Sequence, residues 1–156
     1  MATILQGYEA RQLIQGAQVI KAATAFPQTA TGTLFTVAGG NVLVTSLIGQ
    51  VTTVVQSSDP VLLLGTAPTA GTLDTDGIAT STTLASAEVG TFVGVAASSG
   101  LGGALVVGSL AGSALYPAAS FVVAAGTITW TTGASKTGAM KWYLTYVPLD
   151  TGAYVS

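Results

Sequence analysis

The sequence predicts an all-β fold: a single-domain β-sandwich of jelly-roll-like type, with about eight or nine short strands and an N-terminal arm. Three observations predict it. Short runs rich in Val, Ile, Leu and Thr recur along the chain. Turn signals built from Gly, Pro and Asp separate them, about one every ten residues. No long segment carries the apolar spacing of an amphipathic helix. At 156 residues the chain has the size of one domain and can bury enough surface to fold without staples.

Residues 1–17 differ from the rest: they are rich in Gln and hold Glu9 and the chain's only arginine, Arg11. Glu9 to Gln15 reads as a short helix stopped by Gly16, or as an extended arm. The β domain is expected over residues 18–156. It opens with the strand QVIKAAT, ended by Phe26-Pro27. A strand at GTLFTVA leads into a Gly39-Gly40 turn. A long strand from Asn41 to about Gln56 follows, with Leu43, Leu47, Val51 and Val55 on one face and Val42, Val44, Ile48 and Val54 on the other. Such a strand is expected to be covered on both sides, by the core and by a partner chain, with Gly49 as a bulge. VLLLGT reads as a short buried strand and APTAGTLDTDG as loop. A weak strand is expected in IATSTT, a clear one around Phe92–Val95, and further strands in GALVVGSL, ASFVVAAGTITWTTG and AMKWYLTYV, the last closed by Pro148.

Composition narrows the function classes. Charged residues make up 6% of the chain, against about 25% in a usual soluble domain. The cations are Arg11, Lys21, Lys136 and Lys141, and none falls between Ala22 and Ser135. That middle holds the acids Asp59, Asp74, Asp76 and Glu88. Nucleic-acid binding needs a basic footprint, and this pattern lacks one. The chain has no cysteine, hence no disulfide and no thiolate metal site. It has no histidine, which removes the commonest general base and metal ligand. Low charge means weak self-repulsion, so an assembled state is expected. The uncharged stretch from Val89 to Ser135 includes Gly108 and Gly112 at the spacing of packed membrane helices. Its other glycines, its serines, Pro117 and the lack of flanking Lys or Arg argue for strands and turns instead. The N-terminus has no basic region leading into an apolar core, so no signal peptide is read there.

Both tryptophans and two of the four cations fall in one stretch, TITWTTGASKTGAMKWYLTYVPLD. If Thr127–Thr132 and Ala139–Val147 pair as a hairpin with Trp130 opposite Trp142, the turn centres on Lys136. Gly138 then stands where a three-residue loop with a bulge needs glycine. In that register Lys136 sits at the loop tip and Lys141 points away from the tryptophans. The expectation is a core hairpin with solvated lysines, not an aromatic and basic binding site.

Candidate chemistry is sparse. The carboxylates at Asp59-Pro60 and Asp76-Gly77 have turn contexts that account for them. Asp74–Gly77 opens like a calcium loop, but the remaining ligand positions and a closing Glu at the right spacing are missing. GLGGAL has Leu105 where a dinucleotide fingerprint needs its third glycine. No catalytic, cofactor-binding or metal-ligating residue is nominated, no cofactor is expected, and the protein reads as a non-enzyme.

Three phrases carry a resemblance: FPQTATGTLFTVAGGNVLVTSLIGQVTT (residues 26–53), VVAAGTITWTTGASKTGAMKW (residues 122–142) and YLTYVPLDTGAYV (residues 143–155). Together they resemble the head-decoration proteins of tailed phages, which bind the outside of the capsid and cement neighbouring capsomers. The resemblance implies a β-rich structural virion protein on the capsid exterior, often a homotrimer with an extended N-terminal arm. Its partners would be the major capsid protein and further copies of itself, with no nucleic acid or membrane. The alternative from another class is a carbohydrate-binding module of a tail fibre or adhesin. There Tyr8, Tyr116, Tyr143, Tyr146 or Tyr154 would stack on sugars in a shared groove.

Overall fold

A computed structural model describes residues 7–28, 30–56, 61–95, 101–108, 120–133 and 137–156, the side chains of Tyr8, Arg11 and Leu13 excepted. One short helix, α1 (Gly7–Gln15), precedes strands β1 (Ala17–Ala25), β2 (Thr31–Ala38), β3 (Val42–Thr53), β4 (Val61–Pro68), β5 (Asp74–Thr83) and β6 (Phe92–Gly94). Then come β7 (Val106–Val107), β8 (Phe121–Val123), β9 (Gly126–Thr132), β10 (Ala139–Pro148) and β11 (Tyr154–Val155). Two sheets result, each with antiparallel neighbours. The front sheet has the order β1-β10-β3-β6-β7, with β8 also paired to β3. The back sheet has the order β11-β2-β9-β4-β5. The predicted β-sandwich is therefore present, with more strands than its turn signals announced. The chain repeatedly crosses from one sheet to the other, so sequence neighbours such as β2 and β3 face each other across the core instead of pairing.

The core fills the space between the sheets. Phe35, Val37, Leu62, Leu64, Ile128 and Trp130 project from the back sheet. Val42, Val44, Leu47, Val51, Met140, Trp142 and Leu144 project from the front. The tryptophans correct the hairpin expectation. β9 pairs with β2 and β4, whereas β10 pairs with β1 and β3. Trp130 and Trp142 do oppose each other, but from different sheets, edge to face with centroids 6.1 Å apart. β9 and β10 therefore belong to different sheets and form no hairpin. Gly138 answers to a demand other than a hairpin turn: at φ +137°, a Cβ there would lie 2.6 Å from Cε2 of Phe26. Lys136 lies outside the described residues.

β3 corrects a second expectation. Trp142 pairs with Gly49 and Gly49 with Val93 without a break, so Gly49 is not a bulge. It makes room: a Cβ there would stand 2.6 Å from Cε of Met140 and 3.0 Å from Cζ3 of Trp142. The register breaks at Thr45 instead, since Ser46 opposes Thr145 while Val44 opposes Tyr146. One extra residue shifts the alternation by one. Val42 and Val44 point inward before it, Leu47 and Val51 after it. Part of the two-sided apolar pattern is thus a single inward face that changes parity. Leu43 and Ile48 remain on the other side, half-buried.

Two smaller differences concern β5 and β6. Asp74–Gly77, expected as loop, begins the ten-residue strand β5; there the Asp74 carboxylate accepts the Asp76 amide at 3.2 Å within an irregular stretch. The clear strand around Phe92 has only three residues. Among the described residues, no helix is long and apolar enough to cross a membrane. Of the membrane-like glycine pair, Gly108 is described and Gly112 lies outside the described residues.

Candidate functional site

The titratable groups are dispersed. Asp74 and Asp76 share β5, Glu88 lies in the turn before β6, and Glu9 is on α1. Asp150 holds the crossing between β2 and β3, where its Oδ2 accepts the Asn41 amide at 2.7 Å. Asp59 lies outside the described residues. Among the described residues no three acidic, histidine or cysteine side chains form a metal-sized group. The tyrosines do not line one groove either: Tyr143 is on the outer face of the front sheet, Tyr146 is in the core, and Tyr154 is exposed at the edge strand β11 of the back sheet. Tyr8 and Tyr116 lie outside the described side chains.

The tryptophans, the most site-like feature of the sequence, are structural. Trp142 is fully buried and Trp130 nearly so, with Phe26 packed against Trp130 at 5.8 Å. Nε1 of Trp142 has no hydrogen-bond partner among the described residues. Shape decides this position: the indole fills the gap left by Gly49, and that packing outweighs the unmade hydrogen bond.

What remains is a surface. Pairing through the front sheet aligns Ile20, Tyr143, Ile48, Gly94 and Val106 in one row crossing five strands. Paired residues of antiparallel strands share a face. The neighbouring inward row runs Lys21, Trp142, Gly49, Val93 and Val107, so the first row faces outward. A second outward row joins Val147, Leu43 and Val122. Val122 is 60% exposed and Ile20 50%. The described positions on this face include one charge, Lys141, and no carboxylate. Lys141 lies over the Tyr143 ring, 5.0 Å from its centroid, and the Tyr143 hydroxyl donates to Oε1 of Gln50 at 3.2 Å. As predicted, Lys141 points away from the tryptophans. The charge is thus held against an aromatic ring, and between the two apolar rows runs a polar one of Gln18, Thr145 and Ser46.

The open edge of the front sheet is blunted. Lys21 turns inward beside Trp142 at the margin of the core, and a register break separates it from Thr24. Inward charges and bulges are devices that keep edge strands from pairing with other chains. The β1 edge is thus poorly suited to pairing with a strand of another chain. Sequence reasoning had assigned the apolar outward residues of β3 to a partner, but could not collect Ile20, Val106 and Val122 around them, because strand order is not written in any one segment. No protein-family model, curated protein or solved structure matches this chain.

Proposed function

We propose that this chain is a structural, non-enzymatic virion protein that binds the outside of a phage capsid as a decoration protein and works as a homo-oligomer. The observation that carries the reading is the outer face of the front sheet, where Ile20, Val106, Val122 and Val147 are exposed on a charge-poor sandwich and, among the described positions, Lys141 is the one charge. Clamping a shell requires area and shape complementarity, not reactive groups. The phrases that resemble head-decoration proteins cover β2, β3, β9 and β10, the strands that build the core and much of this plane. The major capsid protein is the partner this reading names, and three copies is the number the resemblance implies.

Purified shells lacking the protein, incubated with it and sedimented, test the proposal. Stoichiometric retention, with copies at symmetry-related positions in particle images, is the expected result. Shells that emerge bare at micromolar protein would overturn it.

A further inference from the structure

We propose that Asp74, Asp76 and Thr129 form a calcium site on the outer face of the back sheet. Thr129 supplies the first observation. Ile128 and Trp130 point into the core, so Thr129 between them points outward, yet it is only 4% exposed. Its row neighbours do not hide it: Thr33 on β2 is exposed, and Gly65 on β4 has no side chain. The start of β5 does. A Cβ on Gly65 would run into the Asp74 carbonyl oxygen and the Thr75 backbone, so this segment lies across the outer face beside Thr129. The glycine makes room for it. Oγ1 of Thr129, closed in at this place, has no hydrogen-bond partner. A buried hydroxyl left unpaired is costly, and it faces the segment that carries both acids.

Charge supplies the second observation. The strands of the back sheet contain no Lys or Arg, and Asp74 and Asp76 are their only carboxylates. Two like charges thus stand two positions apart with no counter-ion in their sheet, and each disfavours the other. The Asp74 carboxylate is also turned back over its own segment. Its Oδ1 accepts the Asp76 amide at 3.2 Å, and a Cβ on Gly77 would lie 2.5 Å from its Oδ2. A divalent cation cancels both charges and takes up the idle hydroxyl. The donors are all oxygen: two carboxylates, the Thr129 hydroxyl and the Asp74 carbonyl, with water completing the shell. Oxygen-only sets of irregular geometry suit calcium, whereas magnesium demands a near-ideal octahedron and transition metals prefer nitrogen or sulfur. The linear motif Asp74–Gly77 lacks the later ligands of a calcium loop, and the fold replaces them with a strand two places away in the sheet. With few protein ligands and exposed acids, the affinity should be on the order of 10⁻⁴–10⁻³ M. A bound ion would tie the start of β5 to β9 across β4. The site does not rest on the proposed attachment to a shell.

Equilibrium dialysis of the full-length protein against calcium chloride, with melting curves in calcium and in chelator, tests the site. The parent should retain about one ion per chain at millimolar calcium and melt higher in calcium than in chelator. Asp74→Asn combined with Asp76→Asn should weaken binding by about tenfold or more. Thr129→Val should weaken it by about tenfold, yet melt in chelator no lower than the parent, because it removes an unpaired hydroxyl at nearly constant volume. Thr129→Ser keeps the hydroxyl and should bind as the parent does, which secures the reading if the valine variant folds poorly. Glu88→Gln removes an acid elsewhere and should change nothing. A parent that retains no calcium at about 10 mM would overturn the proposal. So would calcium held equally well by the double asparagine variant, or a folded Thr129→Val protein that binds like the parent.

Discussion

The two sheets of this sandwich share one core and differ on their outer faces. On the back sheet, Thr31 pairs with Thr131, Thr33 with Thr129 and Thr36 with Thr127. The hydroxyls of Thr31 and Thr131 lie 2.8 Å apart and hydrogen-bond across the strands. On the front sheet the outward positions hold Ile20, Tyr143 and Ile48 in one row and Val147, Leu43 and Val122 in another, with the polar row Gln18, Thr145 and Ser46 between them. Threonine keeps the β-branch that suits a strand and adds a hydroxyl that can bond to water or across the ladder, as Thr31 and Thr131 do, although the buried Thr129 hydroxyl finds no partner. Isoleucine and valine keep the branch without the hydroxyl. The back face has Leu63 among its threonines, but the exposed large apolar side chains of strands longer than the two-residue β7 and β11, namely Ile20, Val122 and Val147, fall on the front face. A charge-poor chain can build a soluble face from threonine, so the apolar face is not a consequence of composition. It is where association is expected.

The comparison is sharpest against the core, where effects should be largest. Trp142→Ala should cost about 3–5 kcal/mol, the usual loss for a buried aromatic. That is a large share of the ~5–15 kcal/mol by which a domain is stable, and it should appear as poor expression or a much lower melting temperature. Trp142→Phe should cost less than the alanine change, since it keeps most of the packing and removes the unpartnered indole N–H. A Trp142→Ala protein with the parental melt but without shell binding would make the tryptophan a ligand contact and break the account.

Glycine changes come next. Gly49→Val would drive a side chain into Met140 and Trp142, and Gly138→Val into Phe26 from a left-handed backbone. Each should lose about 1–3 kcal/mol, read from chemical denaturation. The two glycines also show how far the sequence was legible. Strand propensity and turn residues announced most of the strands and the sandwich, because those signals are local. The partner of each strand is not local. Trp130 and Trp142 looked like a hairpin pair because their spacing, the intervening glycine and their apolar neighbours satisfied every rule for one. Only the placement of β1 and β3 beside β10, and of β2 and β4 beside β9, separates them into different sheets. The bulge at Thr45 was hidden for a related reason, since an extra residue is defined by its partner strand. The outer row was the least legible part: its five residues come from five strands.

Smaller effects distinguish the faces themselves. Val122→Thr on the front sheet and Thr33→Ala on the back sheet should each leave stability within about 0.5 kcal/mol of the parent. Val122→Thr should weaken association, and Thr33→Ala should not. Salt should matter least. With one cation on the plane, raising ionic strength from low to physiological should change self-association by less than tenfold, because exposed ion pairs contribute little and are screened. A steep loss with salt, measured by light scattering, would shift the weight to Lys141 and the acidic middle of the chain.

The claim that the front face alone is built for partners is tested most directly by sedimentation equilibrium of two matched variants. One carries Ile20→Thr and Ile48→Thr, which make the front row resemble the back. The other carries Thr33→Val and Thr36→Val, which make the back row resemble the front. The account predicts that the first pair lowers self-association by at least about tenfold, with melting temperature little changed, and that the parent associates through its front face from the start. Association of the first variant equal to that of the parent, at the same concentrations, would contradict it.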